Sequence, residues 1–344
     1  MKNALAKLPS GSFAIVMATG IVSIASEMIG MRLIAEVLFR LNIVIFLILW
    51  ILLLARIVLH PNLLFSELGE FSQGSEYLTI VAGTCILGNQ FLLLDRALVP
   101  AITLLSLGTL LWVILIYGAF TLCTTRAGKP PFEKEINGAW LLFVVGTQSV
   151  SVLSGMVGSE VSNSNNLLLF FSLSTFLVGC MLYVLIITPI FYRFIFYDLK
   201  PDDLSHTYWI NMGAAAITTF AGVELITNAP DHPFLNGTLQ FVAGFTLFFW
   251  ANSTWWIPFL VLLGIWRFIL HRQKLFYDLQ YWSVVFPLGM YTTCTFSLSK
   301  VMKLSFLIVI PRFFIYLALL SWAILFAALL FTLIKAVLDQ KLRT

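Results

Sequence analysis

Glycine and hydroxyl side chains recur in fixed company along this chain. Five membrane-length segments, SFAIVMATGIVS, YLTIVAGTCIL, WLLFVVGTQSVS, YWINMGAAAITT and WSVVFPLGMYTT, each hold a glycine near the middle: Gly20, Gly83, Gly146, Gly213 and Gly289. An aromatic residue precedes each glycine by a turn or two, and Gly20, Gly83 and Gly146 are evenly spaced. The hydroxyls of Thr19, Ser23, Thr84, Thr147, Ser149, Thr218, Thr219, Thr292 and Thr293, with the amide of Gln148, donate and accept at once, so they can solvate an ion without trapping it. An anion entering a low-dielectric passage loses hydration worth on the order of 20 kcal/mol in the idealised limit. Such side chains, with backbone groups loosened at the glycines, are what can replace that water, and with Phe13 they are the candidate pore-lining residues. The same groups can instead glue helices to one another. Five-fold recurrence, more than any single threonine, favours faces that enclose a pore.

Fixed charge is scarce on these segments. Glu27 and Glu224 lie toward their far ends, and Lys300 and Lys303 follow the fifth. Ionisable residues at membrane depth are functional candidates. Glu224 and Lys300 are accordingly read either as a vestibule or mutual pair, or as coupling residues. A proton relay needs a carboxylate or histidine near the midplane, yet His60, His206, His232 and His271 all fall at helix ends or in loops. The fifth segment alone carries a proline, Pro287, which cannot donate to the Ser283 carbonyl four residues back, so a kink is expected there. Phe286 precedes it near the membrane centre. Its ring is either a dry constriction of the passage or one more core phenylalanine among 31.

The elements that must position these residues follow from composition. Of 344 residues 60% are hydrophobic and 10% charged, with a mean hydropathy of +0.96, which places the chain in a bilayer. A spanning helix needs roughly 20 apolar residues, and ten such stretches are read at 11–29, 36–59, 75–94, 97–123, 137–158, 165–197, 206–228, 237–270, 280–300 and 305–337, forming one polytopic domain over 1–344. Odd stretches hold the small and hydroxyl residues. Even ones, such as LNIVIFLILWILLLARIVL, are bulky and lipid-like. A helix with a small polar face cannot meet lipid cheaply, so the expected architecture is all-α: five helical hairpins in pseudo-five-fold array, odd helices as an inner pore ring and even helices outside.

Most of the 20 lysines and arginines, among them Lys2, Lys7, Arg56, Arg126, Arg193, Arg267, Lys274 and Arg343, fall on the side holding both termini and the longer connections 124–138 and 197–206. The positive-inside bias makes that side cytoplasmic. Outer turns are short, such as Asp95-Arg96 and the Ser/Asn-rich stretch 159–166. Basic character is thus a topology signal, and no nucleic-acid partner is expected. Lys2 and Lys7 before the apolar run 13–25 look like a secretory signal, but the run contains the first copy of the repeated pattern and is expected to be retained. Cys85, Cys123, Cys180 and Cys294 stand singly in apolar stretches, so neither disulfides, a metal site nor a cofactor is expected. An intramembrane hydrolase would need a nucleophile with its base or an aspartate pair at depth. The chain offers neither a GxSG serine with a partner histidine nor such a pair, and an enzyme is not expected.

The stretches SGSFAIVMATGIVSIAS, INGAWLLFVVGTQSVSVLSG and YWSVVFPLGMY resemble the tellurite-resistance/dicarboxylate transporter family, which includes bacterial tellurite-resistance channels, plant guard-cell slow anion channels, and fungal malate permeases and sulfite pumps. The likeness runs in order over essentially the whole chain. It implies ten helices in five hairpins around a central pore, a homotrimer with one pore per subunit, and Phe286 as the occluding gate. The odd stretches lack a midplane arginine or lysine that would hold a dicarboxylate tightly, which leaves the substrate open among chloride, nitrate, sulfite and small carboxylates. The alternative is a proton-coupled C4-dicarboxylate or sulfite transporter, with Glu224 the first residue to neutralise. Either would act in a cell membrane, a prokaryotic inner membrane, with both termini cytoplasmic.

Overall fold

The computed structural model describes residues 5–6, 8–70, 73–161, 166–273 and 277–341. Lys2, Lys7, Lys274 and Arg343, used above for orientation, lie outside the described residues, as does part of the 159–166 turn. Among the described residues all regular structure is helical. The long helices are α1 (Ala14–Ile29), α2 (Arg32–Leu59), α3 (Leu78–Leu94), α4 (Leu98–Thr125), α5 (Leu142–Glu160), α6 (Asn166–Phe196), α7 (Ile210–Asn228), α8 (Pro233–Ile265), α9 (Trp282–Val301) and α10 (Val309–Lys341). Among the described residues eight helical stretches are long and apolar enough to cross a membrane. Helix α1, apolar but only 16 residues long, falls short of that length, and hydroxyl-rich α9 is not among the eight.

Local chemistry explains the ends. Helix α1 stops where Gly30 adopts φ 91°, and its N–H turns back to the Glu27 and Ser26 carbonyls, a left-handed cap that only glycine enters without strain. Lead-in turns of 3-10 type precede α3 (Gly74–Tyr77), α5 (Gly138–Leu141), α7 (His206–Trp209) and α9 (Leu279–Tyr281).

Packing separates the helices into two kinds. Each odd helix touches the next, α1 to α3, α3 to α5, α5 to α7, α7 to α9 and α9 back to α1, so the odd contacts close a cycle. Each even helix packs on the odd helix before it and on the one after: α2 on α1 and α3, α4 on α3 and α5, α6 on α5 and α7, α8 on α7 and α9, α10 on α9 and α1. In the most apolar window that includes α5 every residue is buried, against 6% in the window around α10. Hydrocarbon offers no hydrophobic force to join helices, so small side chains that let backbones approach supply dispersion contact instead. That is why the glycine-bearing helices associate with each other and the bulky ones are left to face lipid.

Candidate functional site

The lead-in turns of the odd helices converge on one mouth. A cavity of about 430 Å³ there is bordered by Ser10, Arg56, Glu67, Glu76, Asn137, Thr207 and Gln280, among others. A deeper recess of about 120 Å³ shares Pro9, Glu76, Thr207 and Gln280 with it and reaches Ala14, Thr79, Leu142 and Ser283, the first turns of α1, α3, α5 and α9. Helix amino termini carry roughly half a positive charge each, so five of them around one opening favour an anion. Three carboxylates also stand at this mouth, and each has a hydrogen-bond partner. Glu67 receives Arg56 at 2.6 Å and the Tyr77 hydroxyl at 2.5 Å. Glu76 receives the Ser10 hydroxyl at 2.5 Å. Asp278 caps α9's lead-in turn through the Gln280 N–H at 3.0 Å.

Arginines at the ends of the even helices hold these turns or the connections leading to them. Arg56, 2% exposed, also donates to the Tyr77 hydroxyl at 3.0 Å and the Ala6 carbonyl at 3.3 Å. Arg126 reaches the Gly69 carbonyl at 3.1 Å. Buried Arg193 donates to the Ile136 carbonyl at 2.9 Å and to the Tyr208 hydroxyl, and Arg267 to the Leu204 carbonyl. Read from sequence these four are only orientation charges; their near-regular recurrence at the ends of four apolar runs was the available sign of a shared task.

From Ser283 the axial face of α9 continues three residues on to Phe286, since residues three or four apart share a helix face. Phe286 is fully buried. Its Cδ1 lies 3.3 Å from where a Cβ on Gly213 would sit, and the Pro287 Cγ lies 2.8 Å from the same point, so glycine on α7 makes room for the Phe-Pro pair. Helical structure continues through Pro287 and through Gly20, Gly83, Gly146, Gly213 and Gly289. The glycines are contact points. An added Cβ would meet Ile86 at 2.6 Å from Gly20, Val16 at 3.2 Å from Gly83, Leu78 at 3.2 Å from Gly146 and Ile21 at 2.9 Å from Gly289, each on a neighbouring odd helix.

The expected pore-lining residues all have partners inside the helix array. Phe13 packs edge-on against Phe46 and Trp50 of α2, centroids 6.1 and 5.8 Å away. Thr19 accepts the Trp322 indole N–H of α10 at 2.9 Å, Thr147 accepts that of Trp112 on α4 at 2.9 Å, and Ser23 donates to the Ala35 carbonyl on α2 at 2.7 Å. Thr84, Ser149, Thr218, Thr219, Thr292 and Thr293 donate to the carbonyl four residues back on their own helices, a common way for a buried hydroxyl to be satisfied. Gln148 donates to the Phe176 carbonyl on α6 at 3.1 Å. The reason is chemical: in a dry layer every polar group must find a partner, and the helices' own carbonyls and the outer helices supply them.

A set of interhelical clasps went unforeseen. Trp250 on α8 donates to Thr295 on α9 at 3.1 Å, Asn42 on α2 to Gln90 on α3 at 2.7 Å, and Tyr183 on α6 to the Asn211 carbonyl on α7 at 3.1 Å. With Trp112 and Trp322, every even helix thus sends one polar bond to the odd helix that follows it around the cycle. A lone Asn42 in an apolar run was the visible hint. At the opposite end of the odd helices, Glu224 and Lys300 do not pair: Lys300 is exposed with its ammonium 5.4 Å from the Phe296 ring, and among the described residues no ion pair includes Glu224.

A family profile described as voltage-dependent anion channel matches residues 7–330. The chain belongs to the voltage-dependent anion channel family. It is accordingly a membrane protein of small-anion transport and not an enzyme. Among its relatives, an uncharacterised membrane protein of Mycobacterium tuberculosis is 41% identical over 149 residues, covering 43% of this chain and 75% of that protein. An uncharacterised transporter of Methanocaldococcus jannaschii is 25% identical over 88% of this chain and 87% of its own length. The sulfite efflux pump of Trichophyton rubrum is 22% identical over 94% of this chain and 90% of the pump. Within an anion-channel family member, the mouth built from helix amino termini takes on a direct meaning, because it is the part of the molecule that favours a negative solute.

Proposed function

We propose that small anions cross along the axis enclosed by α1, α3, α5, α7 and α9, in a ten-span array of five hairpins with the even helices outside, and that Phe286 closes the route. The observation that carries this reading is the recess at the amino-terminal mouth: it is bordered by first-turn residues of four odd helices and ends at Ser283, one turn short of the buried Phe286 ring. Beyond that point the axial face read by helical phase is largely apolar. An apolar ring closing a narrow dry passage blocks ions by excluding their water. The mouth is taken as cytoplasmic, with both termini on that side of a cell membrane and the chain acting as a homotrimer with one route per subunit. Monovalent inorganic anions and small oxyanions such as sulfite, the solute in the fungal relatives' name, fit a mouth whose attraction comes from dipoles rather than from free cations.

Replacing Phe286 by Ala tests the reading. Anion current across a voltage-clamped membrane is expected to rise at least tenfold, with reversal potentials tracking the chloride or nitrate gradient. An unchanged current would remove Phe286 as the closure.

The word pump in the fungal relatives' name favours a second reading, energy-coupled sulfite transport, and the proton-coupled sulfite and C4-dicarboxylate transporters are the alternatives named above. Saturable uptake of sulfite or malate by proteoliposomes, driven by a pH gradient, distinguishes it, since a passive route follows the solute's own gradient.

A further inference from the structure

The two ends of the proposed route differ in sign, and Glu224 is the residue that makes the difference. Ala14, Thr79, Leu142 and Ser283 border the recess, and on α7 Gly213 faces Phe286. About four turns on from the first four, and about three turns on from Gly213 at 3.6 residues per turn, the same phases return at Met28, Leu93, Met156, Ser297 and Glu224. One contact agrees with this register at the far end: Ser297 Oγ lies 3.7 Å from Met28 Sδ across α9 and α1. The Glu224 Cβ lies 3.7 Å from the Cβ position of Gly155 on α5, a point that is also 3.1 Å from the Ser172 hydroxyl of α6. Glu224 is partly exposed, and among the described residues its carboxylate has neither a hydrogen-bond donor nor a cation within bonding distance.

Among the other charges near that end, Arg96 and Asp231 are exposed. Glu27 lies 4.0 Å from Arg32, which also binds Glu36 at 2.9 Å, and Arg40 holds Asp95 at 2.9 Å. Lys300 sits over its own helix's Phe296 ring. Glu160, Lys303 and Arg312 are exposed. Glu224 is therefore the unpaired charge at the axial phase, and the carboxyl termini of all five odd helices add partial negative charge around it.

We propose that Glu224 makes anion passage asymmetric: it depletes anions at the far mouth, slows their influx from that side relative to flow from the amino-terminal mouth, and selects monoanions over dianions there. The proposal rests on the axial route argued above and specifies its valence and sidedness. A passive route still stops at electrochemical equilibrium; the carboxylate alters rates on one side, not the end point. A unit charge a few ångströms away in a partly wet mouth lowers local monoanion concentration about three- to tenfold, and a dianion by about the square of that factor. Added salt shortens the reach of the effect from ~30 Å at 0.01 M to ~3 Å at 1 M.

The experiment uses patches of fixed orientation with the full chain carrying Phe286→Ala, so that current flows, and compares chloride with sulfate applied to each face. Glu224→Gln is expected to raise chloride influx from the far face about three- to tenfold at low salt, to raise sulfate influx more than chloride, and to leave flow from the amino-terminal face within about twofold. Glu224→Asp keeps the charge and is expected to keep the asymmetry. If the Phe286→Ala channel conducts but Glu224→Gln leaves both the sidedness and the sulfate-to-chloride ratio unchanged, this inference is overturned while the route stands. If Phe286→Ala passes no current in patches that contain the protein, the route itself fails. Should Glu224→Gln not reach the membrane, the Phe286→Ala channel alone decides: sidedness that persists undiminished in 1 M salt rules Glu224 out.

Discussion

Helices α5 and α10 occupy the same protein in opposite ways. A Cβ added at Gly146, Gly155 or Gly158 of α5 would lie 3.2, 3.1 and 3.1 Å from Leu78, Ser172 and Leu169, and the helix is covered along its length, whereas α10 exposes Phe313, Tyr316, Leu320, Ile324 and Phe331. Both solve the problem of a dry surrounding, one by close backbone approach and the other by bulk. The difference teaches that side-chain size, not polarity, sorts the helices between layers. Hydroxyls of the odd helices are consumed by helix carbonyls and by donors from the even layer, so what remains polar for a solute is concentrated at the helix ends.

The sharpest way to break this contrast is at a small residue that meets backbone. A Cβ on Gly138 would fall 2.2 Å from the Thr207 carbonyl oxygen and 2.6 Å from the Tyr208 Cα. Backbone cannot swing aside as a side chain can. Gly138→Ala is expected to cost at least about 3 kcal/mol, at the upper end of overpacking penalties, seen as loss of the monodisperse peak in size-exclusion chromatography or a fall of many degrees in unfolding temperature. All four cysteines are buried and free, so a thiol-reactive dye reports that unfolding directly. A variant with the parent's melting profile would show that the mouth is looser than these distances allow.

Next in size is the arginine staple. Arg193→Met leaves the buried Ile136 carbonyl and Tyr208 hydroxyl without their charged donor and is expected to cost about 2–3 kcal/mol. Arg126, exposed and holding a single carbonyl at 3.1 Å, should lose less than about 1 kcal/mol on the same change. Equal shifts in the thiol-reactivity midpoint would mean that burial is not what gives the staples their strength.

The interhelical clasps come below this. Trp112→Phe removes one indole N–H while Thr147 keeps its bond to the Phe143 carbonyl at 2.7 Å, so a loss of about 1 kcal/mol is expected. A loss above about 3 kcal/mol in the same dye assay would say that ring packing, not the hydrogen bond, carries the contact.

Sequence reading reaches the layer distinction because glycine recurrence and bulk are properties of composition, visible without knowing helix orientation. It reaches the anion-transport family for a similar reason, since ordered motifs survive when coordinates are unknown. It does not reach which face of a helix looks inward. Thr19 and Thr147 resemble pore residues because a hydroxyl that clasps a neighbouring indole and one that solvates an ion are the same group, and only the position of Trp322 and Trp112 separates them. Those indoles in turn look like ordinary members of a membrane-interface aromatic belt. Arg193 and Arg267 satisfy the positive-inside bias whether or not they hold a carbonyl, so their second task leaves no trace in a charge count.

The smallest effect is expected on the even layer and has the opposite sign. Gly244 on α8 has no heavy atom within 4 Å of where a Cβ would lie, and the same holds for Gly237 two turns earlier on the same face. Glycine inside a helix costs up to about 1 kcal/mol relative to alanine through backbone freedom in the unfolded chain, and here nothing collides to offset the gain. Gly244→Ala should therefore raise the unfolding midpoint slightly, by roughly 0.5–1 kcal/mol, with anion flux unchanged. If it instead destabilises the protein as an odd-helix glycine would, then α8 meets another chain at that face, because lipid tails yield to a methyl group and a packed protein surface does not.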